Sequence, residues 1–192
     1  MNRTDLPPAV LDIIRRGTVI PAAPLALNSK RQFDERRQRA LMRYYIDAGV
    51  GGIAVGMHFT QFEIRTPGID LFEPVLRVCA DEIDRHSART GRTIAKIAGF
   101  NGRTESALKQ AEQARELGYH FGIASMGAFG GAMEQEMIHH MRELARVMPM
   151  FGFYLPTGIG GIRLPYAFWR ELVEIENVVG IKIAPFDRYD TL

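Results

Sequence analysis

Six short apolar runs recur along this chain of 192 residues, and they constrain its fold more than any other feature. They start about 32 residues apart and cover residues 17–21, 52–56, 93–99, 120–125, 149–155 and 178–184. Most are almost continuously apolar rather than alternating, which is typical of strands that are covered on both faces.

Helical patterns lie between these runs, at residues 34–48, 72–90, 104–117, 133–147 and 164–175. In the third of them, apolar side chains recur every three residues, and Gly118 follows its predicted end. Strands that alternate with helices predict an α/β protein in which helices cover a parallel sheet.

Two α/β folds compete on this rhythm. A doubly wound sheet closes with five or six strands and suits the length, whereas a TIM barrel requires eight strands and about 250 residues. However, the first run leads into Pro21-Ala22-Ala23-Pro24 rather than a glycine-rich phosphate turn. Proline has no amide hydrogen to offer a phosphate, so nucleotide binding by a doubly wound domain is disfavoured.

Composition excludes several classes of protein. The apolar fraction of 46% and charged fraction of 24% are those of a globular domain, and a net charge of +2 gives no argument for nucleic-acid binding. The apolar runs are too short to span a bilayer, and the first residues lack the pattern of a signal peptide. A single cysteine, Cys79, excludes an intramolecular disulfide and favours a reducing compartment. We therefore expect a cytoplasmic protein without a membrane or nucleic-acid partner, and no metal-ligand cluster is visible.

Two of the four lysines, Lys96 and Lys182, lie inside apolar runs. A desolvated lysine has a lowered pKa, and its neutral amine can form a Schiff base with a carbonyl substrate. The alternative is a structural lysine whose ammonium reaches solvent or a carboxylate. The residues alone leave both interpretations open.

Other candidate site residues stand where runs end. Tyr154 closes the fifth run and could relay protons or pack as a core aromatic. Gly56 ends the second run, and His58 and Thr60 follow it. His58 could act as an acid or base, and Thr60 could bind a substrate carboxylate or cap the turn.

Several segments also stand in the order and spacing of a known family. They are residues 17–25, 48–56, 97–99 and 104–118, then Tyr154, and finally Val179-Gly180-Ile181-Lys182. On these segments the chain resembles the dihydrodipicolinate synthase / N-acetylneuraminate lyase family of class I aldolases over almost its whole length. Tyr154 is matched to the tyrosine of the family's Tyr-Asn-x-Pro segment, and Lys182 to the Schiff-base lysine of Val-Gly-Ile-Lys.

The resemblance implies a TIM (β/α)8 barrel with its site at the carboxyl ends of the strands. It implies that Lys182 forms an imine with pyruvate or another 2-oxo acid, and that Tyr154 passes the protons. The resulting enamine adds to an aldehyde, or forms when a carbon–carbon bond is cleaved. It further implies a homodimer or homotetramer and no cofactor.

Departures from the family pattern limit the activity that is implied. The Gly-Thr-Thr-Gly-Glu loop is replaced by residues 56–63, where Gly56, His58 and Thr60 are the candidate ligands. Phe129 stands where a tyrosine would lend its hydroxyl across a subunit interface, and Ile159 stands near the place of a carboxylate-binding arginine. We therefore expect Phe129 and Ile159 to contact a more apolar second substrate, and the protein to be a lyase rather than a strict dihydrodipicolinate synthase. The alternative is a non-catalytic homologue that binds a small acid without turnover.

The length has a further implication under this resemblance. Residues 1–192 contain about six of the eight β-α units of a barrel. We expect one barrel domain that is truncated before strands seven and eight, as part of a chain nearer about 250–300 residues.

Overall fold

A computed structural model describes residues 1–184, 186, 187 and 189, without the side chain of His58. The helices are α1 (Pro8–Arg16), α2 (Glu35–Asp47), α3 (Phe72–Thr90), α4 (Thr104–Glu116), α5 (Glu134–Val147) and α6 (Tyr166–Val173). The strands are β1 (Gly52–Val55), β2 (Ala95–Phe100), β3 (Phe121–Ala124), β4 (Met150–Tyr154) and β5 (Val178–Ile183).

The five strands form one sheet in the order β1-β2-β3-β4-β5, and the pairs whose register is resolved are parallel. Each strand therefore lies beside the next one in the sequence. A doubly wound sheet reverses its strand order at a switch point, whereas a barrel wall is strictly sequential. The sequential order confirms the α/β prediction and decides between the two folds in favour of part of a barrel.

The first predicted strand, at residues 17–21, is reduced to a short extended pairing. The amide of Ala54 donates to the carbonyl of Pro21 at 2.9 Å, and the amide of Ala23 donates to the carbonyl of Ala54 at 2.8 Å. A single parallel bridge joins Ala22 to Ala54. The prolines at positions 21 and 24 explain this shortness, because each removes one ladder donor.

One compact unit comprises Leu6–Gly99 and Gln113–His120, and we call it the N-terminal unit. In it, Asp34 caps the N-terminus of α2, because its carboxylate accepts the amide hydrogen of Arg37 at 3.0 Å. Its core is formed by fully buried side chains of α2, α3, β1 and β2, among them Met42, Ile46, Ile53, Val55, Leu76, Ile83 and Ala95. Helix α1, which none of the predicted helical segments covers, begins at a proline pair suited to a first turn.

The second compact unit comprises Met1–Asp5, Phe100–Glu112 and Phe121–Leu192, and we call it the C-terminal unit. Within it, β4 pairs with β5 so that Phe153 is opposite Lys182 and Tyr154 is opposite Ile183. A register shift at Met150/Phe151 precedes this stretch. At the carboxyl end of β4, Phe153 therefore lies on the same face of the sheet as Lys182, and Tyr154 lies on the other face with Ile183.

Glycine 152 allows α6 to pack closely on one face of β4. A Cβ at this position would lie 2.6 Å from a methyl carbon of Leu172 and 3.5 Å from the ring of Trp169, both in α6. Residues two apart in a strand share a face, so Gly152 and Tyr154 both belong to the face that α6 covers. None of the helices in the described part of the chain is long and apolar enough to cross a membrane.

Candidate active site

Lysine 182 is the fifth residue of β5 and lies near the carboxyl end of that strand. Its Nζ is 5.0 Å from the centre of the Phe153 ring, which is only 3% exposed, and this is the geometry of a cation–π contact. Lys182 itself is exposed, and within the described residues it has no carboxylate within ion-pair distance. Partial burial lowers the pKa of Lys182 below its ordinary value.

Tyrosine 154 lies on the opposite face of β4 from Phe153. Its ring meets the indole of Trp169 edge to face, with centres 5.8 Å apart and planes at 78°. The structure therefore brings Phe153, and not Tyr154, against Lys182. The relay role that the resemblance implies for Tyr154 stays a prediction that this arrangement does not favour.

The sequence contained a signal for this difference. In a Tyr-Asn-x-Pro segment, the tyrosine stands three residues before the proline, and three residues before Pro156 is Phe153. Alignment on the proline, rather than on the nearest tyrosine, puts the phenylalanine in the tyrosine's place. Because side chains alternate along a strand, a shift of one residue exchanges the two faces.

The turns after β3 and β4 lie against each other in the C-terminal unit. A Cβ on Gly127, in the turn Gly127–Phe129, would be 2.3 Å from the carbonyl oxygen of Gly160. Ile159, which ends the turn Thr157–Ile159, is 40% exposed. An apolar side chain is thus exposed beside these turns, and contact of Ile159 with a substrate stays a prediction.

Phenylalanine 129 is buried rather than open to a ligand. It is 3% exposed, its ring centre is 4.7 Å from that of His140, and the guanidinium of Arg103 lies 4.7 Å above it. His140 accepts or donates a hydrogen bond with the Thr104 hydroxyl at 3.0 Å, and burial is the main cause that lowers its pKa to about 4. Phe129 therefore packs in the interior, and its role as a substrate contact stays a prediction.

Threonine 60 and Gly56 are joined in the N-terminal unit. The Thr60 hydroxyl donates to the carbonyl of Ala23 at 2.6 Å and accepts the amide hydrogen of Gly56 at 3.0 Å, and Thr60 is fully buried. Its only hydroxyl proton is therefore committed to the fold. This favours the turn-capping alternative for Thr60, while the prediction for His58 concerns a side chain outside the described part.

Arginine 65 was not singled out in the sequence, where it sits in an ordinary polar loop. Its guanidinium donates to the carbonyls of Gly56 at 2.9 Å and Gly99 at 2.6 Å, at the carboxyl ends of β1 and β2. It also lies 4.3 Å from the centre of the Phe72 ring. Burial lowers the pKa of Arg65 to about 9. The fold thus holds a desolvated cation between two strand ends, which no local pattern indicated.

Lysine 96, the other candidate nucleophile, is a paired residue. It is 4% exposed, and its ammonium donates to the two carboxylate oxygens of Asp84 at 2.6 and 2.8 Å. This is the structural alternative that the sequence analysis left open. Elsewhere among the described residues, no three His, Cys, Asp or Glu side chains group closely enough to hold a metal ion.

Comparisons with known proteins agree with this architecture. The profile of the dihydrodipicolinate synthetase family matches residues 16–190. N-acetylneuraminate lyase 2 of Escherichia coli O6:H1 is 28% identical over 170 residues, which are 85% of this chain and 52% of the relative. A 4-hydroxy-tetrahydrodipicolinate synthase of Nitratidesulfovibrio vulgaris is 22% identical over 155 residues, or 80% of this chain and 50% of the relative.

Solved structures show the same fold at lower identity. CdNal of Clostridium difficile, solved in complex with mannosamine, has a TM-score of 0.76 at 19% identity and matches 90% of this chain and 57% of its own. YagE of Escherichia coli K12, solved in complex with pyruvate, has a TM-score of 0.73 at 19% identity and matches 85% of this chain and 53% of its own. This chain spans about half the length of the curated relatives it matches. Because the family profile matches residues 16–190 and the sheet has the sequential strand order of a barrel wall, the chain belongs to the dihydrodipicolinate synthetase family.

Proposed function

We propose that this protein is a Schiff-base-forming lyase that acts on pyruvate or another 2-oxo acid, with Lys182 as the imine-forming nucleophile. The observation that carries the proposal is the state of Lys182: an amine at the carboxyl end of a parallel strand, beside an aromatic ring and without a carboxylate partner among the described residues. In barrels of this kind, residues at the carboxyl ends of strands are the ones that reach a substrate.

The chemistry requires a neutral amine. The nitrogen lone pair adds to the keto carbon and a proton moves from nitrogen to the new alkoxide, which gives a neutral carbinolamine. Protonation of its hydroxyl by an acid from solvent and loss of that group as water leave a positively charged iminium. Partial burial lowers the pKa of Lys182, which increases the neutral fraction at a given pH. An ion pair with a carboxylate would have the opposite effect on Lys182, because it would favour the charged form.

The iminium then serves as an electron sink. It accepts the electron pair when a carbon–carbon bond next to it is cleaved, or when a proton leaves the adjacent carbon. The resulting enamine can add to an aldehyde. Similar proteins agree with this class of reaction: one is a lyase, one is a synthase, and one was solved with pyruvate.

The second substrate is proposed to be a more apolar aldehyde than that of a dihydrodipicolinate synthase. Ile159 presents an exposed apolar side chain in the turn after β4, near the place where an arginine would bind a carboxylate. Assembly as a homodimer or homotetramer and a cytoplasmic location are further parts of the proposal, carried by the resemblance alone.

Borohydride reduction in the presence of pyruvate tests the proposal. The reduced imine is stable, so intact mass should show one pyruvate adduct per chain, and peptide mapping should locate it at Lys182. Lys182→Ala should abolish the adduct. Lys109→Ala is the matched control, since Lys109 is exposed and pairs with Glu105 on α4.

The outcomes separate the two candidate functions. No adduct with any of a panel of 2-oxo acids, or an adduct that persists in Lys182→Ala, would contradict the proposal. Binding of pyruvate without an adduct would instead identify a non-catalytic homologue.

A further inference from the structure

Two neighbouring aromatic residues, Phe153 and Tyr154, end β4, and only one of them faces the proposed nucleophile. We infer that Phe153 is the aromatic side chain that covers the imine nitrogen of Lys182, and that protons on the adjacent substrate carbon are exchanged with water rather than with the hydroxyl of Tyr154. This inference rests on the proposed function of Lys182.

The register of the two strands carries the first step of the argument. Phe153 is opposite Lys182, and Phe151 is opposite Gly180, so these four residues share one face of the β4–β5 pair. A Cβ on Gly180 would lie 3.0 Å from the Phe151 ring, which confirms that this face is closely packed. The Lys182 amine therefore stands at the end of a row of aromatic rings.

The opposite face carries the second step. Gly152 and Tyr154 share it, and α6 covers it closely enough that a Cβ on Gly152 would clash with Leu172. The Tyr154 ring is held edge to face by Trp169 of α6. To turn Tyr154 towards Lys182, β4 would have to slip by one residue, and such a slip would move Phe153 under α6 at the same time.

The chemistry of the two rings carries the third step. The face of the Phe153 ring attracts a cation, and it favours the iminium more than the ammonium. The exposed ammonium of Lys182 has three N–H groups that water can solvate, whereas the iminium keeps only one and depends more on the ring. Phenylalanine has no exchangeable proton, however. When a C–H bond of the iminium methyl group breaks, its electron pair forms the enamine double bond, the C=N pair returns to nitrogen, and the proton goes to water. Protonation from water reverses these changes.

Exchange of the pyruvate methyl protons with deuterium from D2O measures this step directly, by proton NMR with pyruvate as the probe. We expect Tyr154→Phe to exchange within about twofold of the unchanged protein, whereas loss of a proton-transferring group costs about 10²–10⁴-fold. We expect Phe153→Leu to form about two- to fivefold less imine at a given pyruvate concentration, because the cation–π contact is lost. This should raise the apparent KM for pyruvate more than it lowers the maximal exchange rate.

A second measurement does not depend on pyruvate at all. The rate at which trinitrobenzenesulfonate labels Lys182, followed by peptide mapping from pH 7 to pH 11, reports both the cover over the amine and its pKa. We expect Phe153→Leu to raise the labelling rate about two- to fivefold and to shift its pH midpoint. Tyr154→Phe should leave both unchanged, and its near-identical shape keeps this arm interpretable even if Phe153→Leu folds poorly.

Each outcome counts for or against the inference. A loss of methyl exchange of about 100-fold or more in Tyr154→Phe would overturn it, because the proton then passes through that hydroxyl. Labelling of Lys182 that responds to Tyr154→Phe and not to Phe153→Leu would overturn it as well. Failure to trap an imine in the unchanged protein would refute the proposed function, while the labelling experiment would still decide which ring covers the amine.

Discussion

Lys96 and Lys182 sit in similar local sequences and have opposite surroundings in the fold. Each stands between apolar residues in a parallel strand. Lys96 is buried and its ammonium donates to both carboxylate oxygens of Asp84. Lys182 is exposed, and its Nζ faces the ring of Phe153.

Position along the strand accounts for the difference. Lys96 is the second residue of β2, near the amino end, whereas Lys182 is the fifth of the six residues of β5. In parallel barrels the amino ends of the strands contribute to stability and the carboxyl ends to the active site. A lysine whose charge is matched by a carboxylate supports the fold, and one without such a match has a nitrogen available for chemistry.

The largest expected effect concerns reactivity. With pyruvate and borohydride, we expect the adduct on Lys182 to exceed that on Lys96 by about 100-fold or more. Lys96 is buried, and its Nζ is held by two hydrogen bonds to Asp84, each worth about 1.5 kcal/mol. Quantitative peptide mapping of the unchanged protein measures the ratio. Equal labelling of both lysines would remove the distinction between them.

The next effect concerns stability. Asp84→Asn should lower the free energy of unfolding by about 3 kcal/mol, because it leaves the buried ammonium of Lys96 without its carboxylate. Lys96→Met should cost only about 1 kcal/mol, since the Asp84 carboxylate that remains is largely exposed and stays hydrated. Urea unfolding of the two variants gives the comparison. If Lys96→Met were the more damaging change, burial of the charge would not be what makes the pair necessary.

A third prediction uses His120, whose Nδ1 accepts the amide hydrogen of Lys96 at 3.0 Å. Burial first, and then the charge of Lys96, lower the pKa of His120 from 6.5 to about 4. The unfolded chain therefore binds a proton between pH 6.5 and pH 4 that the folded chain does not, so stability falls as the pH is lowered through this window, by at most about 3 kcal/mol.

Lys96→Met removes one of these two causes, and the pKa of His120 should rise in that variant. NMR titration of the ring measures this pKa, and urea unfolding at pH 7 and pH 4.5 measures the stability. Lys182→Met is the control and should leave His120 unaffected. An unchanged pKa in Lys96→Met would show that burial acts alone.

The smallest effect is expected for Lys182 itself. Lys182→Met should change the free energy of unfolding at pH 7 by less than about 0.5 kcal/mol, as for other exposed positions. Burial lowers the folded pKa of Lys182 below 10.5, so the folded state is disfavoured while the amine is charged. Relative to Lys182→Met, the unchanged protein should become more stable as the pH rises towards 10.5. A difference that shrinks with rising pH would show that the amine has a stabilising partner.

Much of the fold followed from local patterns. The predicted bounds of α3 agree with the structure, and five of the six predicted strands are present within one or two residues. The remaining one, the first along the chain at residues 17–21, is only a short pairing with β1. The prolines at positions 21 and 24 each remove a hydrogen-bond donor there. Helix α1 was missed although Val10, Ile13 and Ile14 stand at helical spacing, because its nine residues are fewer than such a pattern needs to stand out.

The candidate site was less predictable. The hydroxyl of Thr60 donates to the carbonyl of Ala23, which is 37 residues away in the sequence. The guanidinium of Arg65 donates to the carbonyls of Gly56 and Gly99, on two different strand ends. No spacing rule in the sequence indicates such contacts. The burial of Phe129 likewise depends on its contacts with His140 and Arg103. Local residue type indicated which side chains could do chemistry, but the partners that determine their state come from other elements.

The sequence by itself determined the alternation of strands and helices and the presence of two lysines in apolar strands, because both follow from residue type and local periodicity. It also indicated the family, through the resemblance of its motifs, in their order, to those of known members. Only the tertiary structure decided that Lys96 meets Asp84 while Lys182 meets Phe153, and that Tyr154 turns towards Trp169. The physical reason is that a strand presents alternate residues to opposite faces, and only the register of its neighbours and the packing of a helix decide which face is which.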